Sequence, residues 1–217
     1  MTKKFFIKNR YQVLLTTIVS LFLLSPTFDG QISDSIIANI FETGLFLSTI
    51  NLFRRSNKVG SKEVLLGILT FSLIWIDLLF NVAIAEALKT ILMITFFYLA
   101  LRIVIHELTS SFKVDKAHIF GAIVAYFLLG FLWGNVFQLI ELVHPNSFKI
   151  LYPQNSALDL NYFSFVTLLT LGYGDVFPIA QFAKILCVLE GITGQFFMAV
   201  LVGRIVGLHI NNLHEKK

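Results

Sequence analysis

The stretch between Val143 and Phe182 constrains this chain most, because it interrupts a pattern that otherwise repeats. Ile119–Val143 before it and Phe182–Leu208 after it are each apolar and long enough to cross a hydrocarbon core of about 30 Å, which takes about 20 helical residues. Between them, His144–Asp159 carries Pro145 and Pro153 and reads as a loop. Tyr162–Leu169 is apolar again but too short to span. The stretch therefore reads as a short helix and loop that enter the bilayer and return to the side they came from.

The rest of the sequence is of the same kind. Tyr11 to Leu24, Ile32–Phe53, Val64–Ile84 and Leu88–Ile105 are four further apolar runs, and no small-x-small cleavage site follows the first, which is read as a retained helix and not a signal peptide. A hydrophobic fraction of 56%, with 14% charged residues and 23 Phe, excludes an ordinary soluble domain. The net charge of +4 does not point to nucleic acid, because the basic residues fall between apolar runs. With both termini in the cytoplasm, only Lys89, Lys149 and Lys184 of the 17 Lys and Arg residues lie outside, so the positive-inside rule selects this orientation for six spans. The expectation is an all-α integral membrane protein, multi-pass in the cell (inner or plasma) membrane, with the lipid bilayer as its solvent. Cys187 is alone, the five histidines show no ligand spacing, and no paired catalytic carboxylates stand out, so neither an enzyme nor a cofactor is expected. His106 and His118 flank the linker into the fifth run and read as solvated surface groups.

Immediately after the short apolar run comes Thr170-Leu171-Gly172-Tyr173-Gly174-Asp175, with Pro178 beyond it. Turning successive carbonyls toward one axis requires residues that alternate in hand, and glycine enters the left-handed region without the penalty a Cβ imposes. Gly172 and Gly174 stand at alternate positions. The hexapeptide resembles the selectivity-filter signature of potassium channels, Thr-Val-Gly-Tyr-Gly-Asp, with one conservative change. A lone Gly-x-Gly would be an ordinary tight turn; six matched residues between helices of the required lengths are more specific.

The resemblance covers about Ile119 to Leu208 and implies a good deal. The carbonyls of Thr170, Leu171, Gly172 and Tyr173, with the Thr170 hydroxyl below them and Gly174 also in the ion-binding set, would bind dehydrated potassium as a permeant ion. One loop cannot surround an ion, so three identical partner subunits are implied, with the pore on the symmetry axis of a homotetramer. Tyr162 and Phe163 would brace the filter, Asp175 accepting a hydrogen bond from Tyr162; Phe163 cannot donate to Tyr173, where a tryptophan often stands. Val166 takes the aliphatic option at a position where some members carry a carboxylate. Residues 1–110 then form a four-helix membrane domain and 111–217 a pore domain, with outer helix about 119–143, pore helix about 159–169, filter 170–175 and inner helix about 182–208. Passive potassium conduction is the expected function. Alternatives are a weakly selective cation channel, a non-conducting scaffold of the same fold, and a potassium transporter, the last disfavoured because such chains carry four loops.

Two features bear on regulation. Gly191 lies where the family often has a hinge, although close packing explains it as well; Gly130 with Gly134, and Gly203 with Gly207, have the spacing that lets membrane helices approach. Glu190 is an ionisable group well inside a span, so it should face protein or water, with Thr193 and Gln195 near it in sequence. Across Leu88–Ile105 only Lys89 and Arg102 are basic, which is no voltage-sensor pattern, and weak or absent voltage dependence is expected. Glu42 and Asp77 read as hydrogen-bonded within the bundle. No cytosolic ligand-binding domain is expected in the few residues from Leu208 to Lys217.

Overall fold

The computed structural model describes residues 10–24, 83–110, 116–153 and 156–204, with helical stretches at 43–47 and 69–73 and a few single positions beside them. The elements run α1 (Arg10–Leu24), α2 (Ala83–Ser110), α3 (Lys116–Val143), β1 (Phe148–Ile150), α4 (Ser156–Leu168), β2 (Val176–Pro178) and α5 (Gln181–Phe196). A π-helical segment, Phe197–Val202, continues α5. The second and third apolar runs, with Glu42 and Asp77, lie largely outside the described residues.

Three of these helices are long and apolar enough to cross a membrane: Glu86–Ser110, Ala117–Val143 and Gln181–Leu201. The fold is thus mainly helical and suited to a bilayer. α2 has neither glycine nor proline in its 28 residues, and Thr90, Thr95 and Thr109 return their hydroxyls to carbonyls one turn back, so these three hydroxyls are satisfied within the helix. The 15 residues of α1 rise about 22 Å, short of the core thickness.

α1, α2 and α3 share one core, in which Leu14, Ile18, Phe97, Val104, Val124 and Leu128 are buried. At one end of it Arg10 pairs with Glu107, and the Tyr11 hydroxyl donates to the same carboxylate. A line of rings carries the core onward. Phe46 meets Phe96 at 4.5 Å, Phe97 meets Phe131 at 5.8 Å, and Phe131 meets Phe165 of α4 edge-on at 5.2 Å. A second cluster lies under the β-hairpin, where Phe137, Phe148 and Phe163 form a triangle with sides of 5.4, 5.4 and 5.6 Å.

His144–Asp159, expected to be loop, holds more order than that. Glu141 reaches past the end of α3, accepting the Asn146 N–H at 2.7 Å and the Phe148 N–H at 3.0 Å. Asn146 supplies the left-handed turn (φ 65°), and Phe148–Ile150 then pairs antiparallel with Val176–Pro178 in the register Phe148↔Pro178. The helix that follows begins at Ser156 and ends at Leu168. Strands of three residues leave no periodic signal, and the Glu141 cap is a long-range side-chain contact that no sequence pattern announces.

α4 lies between α3 and α5, and glycine makes the close approach possible. A Cβ on Gly130 would lie 2.4 Å from the Phe165 ring, one on Gly134 2.8 Å from the Asn161 Cα, and one on Gly194 2.7 Å from Leu168 Cδ2. The small-x-x-x-small spacing in α3 is therefore a pair of notches for α4. Among the described residues, a Cβ at Gly203 or Gly207 meets nothing within 4 Å. Gly191 is equally open and lies inside regular α5, whereas departure from α geometry begins at Phe197.

Gly134→Ala should lower stability by about 1–3 kcal/mol, because the contacted atom is backbone and the helices must part. Gly191→Ala should be neutral or stabilising by up to about 1 kcal/mol. Thermal unfolding of the two purified variants in detergent checks the contrast.

Candidate functional site

The site begins where α4 stops. The Leu171 N–H donates to the Val166 carbonyl at 2.9 Å and the Thr170 N–H to the Thr167 carbonyl at 3.0 Å. That is the double closure of a helix whose next residue turns left-handed. The left-handed residue is Thr170, at φ 58°. Glycine usually fills this position; a β-branched residue there is strained by about 1–2 kcal/mol. Gly172 and Gly174 follow at φ 63° and 80°, so residues 170, 172 and 174 are left-handed and the residues between them are not. The glycine alternation was visible in the sequence, but Thr170 as its first member was not.

A backbone that alternates in hand sets successive carbonyls along one side. Among the described residues, the carbonyl oxygens of Thr170, Leu171, Gly172 and Tyr173 accept no hydrogen bond, and the segment 169–174 is exposed. Bare carbonyl oxygens in a row can replace the hydration shell of a cation.

The loop is held at its far end by Asp175. Its Oδ2 accepts the Tyr162 hydroxyl at 2.8 Å, its Oδ1 accepts the Val176 N–H at 3.1 Å, and its backbone carbonyl takes the Leu151 N–H at 2.9 Å. Burial, then the hydrogen bond to Asp175, pushes the Tyr162 phenol up to about 12, so it remains a donor at physiological pH. Phe163, the other residue of the aromatic pair, is buried against Phe137 and Phe148. Tyr173 is 67% exposed in the single chain.

Glu190 is wholly buried, and its carboxyl meets Ser164 of α4 at 2.5 Å. The neighbours suggested by the sequence do otherwise. Thr193 donates to the Glu190 backbone carbonyl at 2.8 Å and accepts from Trp133 Nε1 at 3.1 Å, while Gln195 is exposed. Ser164 was missed, since nothing in one sequence says which helix a buried acid will face. Tyr126 was missed too: its hydroxyl donates to the Leu168 carbonyl at 2.9 Å, tying the last turn of α4 to α3. A tyrosine in the middle of an apolar span was the available signal, because a buried phenol needs a partner.

Residues 117–209, which contain α3, the hairpin, α4, the loop and α5, match the family model described as an ion channel. Over that stretch, a little under half of its length, the chain is similar to this ion-channel family. It is 30% identical over 86 residues to Potassium channel K2 of Plasmodium falciparum, covering 38% of this chain and 6% of that one. It is 41% identical over 61 residues to Two-pore potassium channel 4 of Arabidopsis thaliana, covering 28% of this chain and 21% of that one. With the Voltage-gated potassium channel of Aeropyrum pernix it shares 28% identity over 104 residues, 48% of this chain and 31% of the relative. The chain thus spans less than a third of the length of these curated relatives. No solved structure matches it.

Tyr162→Phe removes a hydrogen bond of about 1 kcal/mol from the loop's anchor. Amide hydrogen exchange across 169–175 should be faster in this variant, with exchange in α3 unchanged.

Proposed function

We propose that four copies of the channel surround a common axis and conduct potassium passively through the carbonyls of Thr170, Leu171, Gly172 and Tyr173, the Thr170 hydroxyl lying at the inner end. The observation that carries this reading is the alternation of hand at residues 170, 172 and 174 on carbonyls that no described residue uses. The names of the relatives, all potassium channels, support the choice of ion.

A fourfold assembly is supported by geometry, because one loop offers carbonyls on one side of an ion only. It also accounts for α5, whose span is only 17% buried within one chain against 56% for α3. Phe182, Ile185, Val188, Ile192 and Phe196 are all bare. In the assembly these would meet neighbouring copies and lipid. The proposed layout has six spans, both termini in the cytoplasm of the cell membrane, a four-helix domain over 1–110 and the pore domain over 111–217. Voltage dependence would be weak, because Lys89 and Arg102 are the only basic residues across Leu88–Ile105.

A weakly selective cation channel is the second reading. It is favoured by Leu171 in place of valine and by Phe163, whose ring lies between Phe137 and Phe148 and has no donor to offer Tyr173.

With potassium on one side of a planar bilayer and sodium on the other, the purified protein should reverse near the potassium equilibrium potential. Reversal near zero with real current selects the second reading, and persistent silence selects a non-conducting scaffold. Gly172→Ala puts a Cβ on a residue at φ 63°, a strain of about 1–2 kcal/mol, and should abolish conduction while leaving a fourfold cross-linking ladder in detergent.

A further inference from the structure

Glu190 takes no part in the row of carbonyls, yet it is wholly enclosed on the inner face of α5. Its Oε1 lies 2.5 Å from Ser164 Oγ, and that hydroxyl oxygen lies 2.8 Å from the Gly130 carbonyl oxygen. Three oxygens therefore stand in line with two hydrogen-bond distances between them, and each needs a proton. The Gly130 carbonyl has none to give, and Ser164 has one. The second has to come from Glu190.

An independent observation agrees. Glu190 Oε2 is buried and has no hydrogen-bond partner among the described residues. An ionised carboxylate would place charge on that oxygen without a donor, which is far more costly than burying a neutral acid. Among the described residues, the groups that face the site bring no compensating cation. From α4 there is Ser164; from α3, the Gly130 carbonyl and Tyr126, whose own hydroxyl is engaged by Leu168; from α5 itself, Cys187 and the Thr193 hydroxyl that returns to the helix backbone.

We propose that Glu190 is held as the un-ionised acid and donates to Ser164, which donates to Gly130, so that one ordered pair of protons ties α5 to α4 and α4 to α3. Glu190 is then a positioning residue. It touches no ion and acts through Ser164 on the helix whose last turn starts the loop. The tie grips α4 where the Phe165 ring fills the Gly130 notch, so two adjacent residues of α4 are both held against Gly130. Loss of the proton leaves one hydrogen for two short contacts and an unpaired buried charge, and α4 is released from α5. The tie stands on geometry alone; its effect on conduction rests on the proposed channel function.

Infrared difference spectroscopy of the purified protein in lipid at neutral pH tests the tie without any current. The wild type should show the carbonyl stretch of an un-ionised carboxylic acid that Glu190→Gln lacks, and Ser164→Ala should move it to higher frequency. If Ser164→Ala fails to fold, Ser164→Cys, with a weaker partner, should give a smaller shift of the same sign. A carboxylate band in place of the acid band, or an acid band indifferent to residue 164, overturns the proposal. In bilayers, Glu190→Leu should reduce current severalfold and Glu190→Gln, which keeps a donor, should recover most of it. Equal losses in both overturn the positioning role. A wild type that never conducts while the acid band is present refutes the proposed function and leaves the tie standing.

Discussion

A row of carbonyls can serve a cation only if the protein has not already used them, and a row left unused has no internal hydrogen bonds to keep its shape. Everything around residues 170–174 follows from that conflict. The loop is fixed from its two ends and not from within. At the start, the closing turn of α4 forces Thr170 into the left-handed region; at the finish, Asp175 is gripped by Tyr162, Val176 and Leu151. Strain of the kind Thr170 carries persists only where the surroundings over-determine it.

α4 has to be immobile for that to work, and the structure secures it on three fronts. Gly130 and Gly134 let it press into α3, Gly194 lets α5 close on Leu168, and the Tyr126 hydroxyl holds the Leu168 carbonyl. The rings from Phe46 through Phe97 and Phe131 to Phe165 extend this contact into the first half of the chain. Interiors so packed have two or few discrete arrangements and resist gradual deformation.

The long helices were legible because hydrophobic runs of this length have few other uses. Tyr162 and Asp175 were legible as a pair only through the resemblance of residues 170–175 to a potassium-channel filter, which implies an aromatic donor to Asp175; the structure has that hydrogen bond at 2.8 Å. What the sequence did not disclose shares one property, dependence on three-dimensional neighbours. Ser164 and Glu190 are 26 positions apart on different helices. Gly194 and Gly203 look alike in sequence, yet only Gly194 meets a partner in this chain. The π-helical turn at Phe197 and the strand at Phe148 have no compositional mark, since both are local departures within apolar sequence.

The hairpin between Phe148 and Pro178 has a consequence for assembly. It brings the two ends of the α4 and loop segment side by side, so that this segment is a closed unit within a single chain. Its left-handed turns and its Asp175 clasp are likewise intrachain. In the proposed assembly the loop would be ordered before partners meet, and association would be spared the entropy of shaping it. Subunits meeting at an axis would then dock preformed surfaces, and an error in one loop would be present in the isolated chain and not created at the junction.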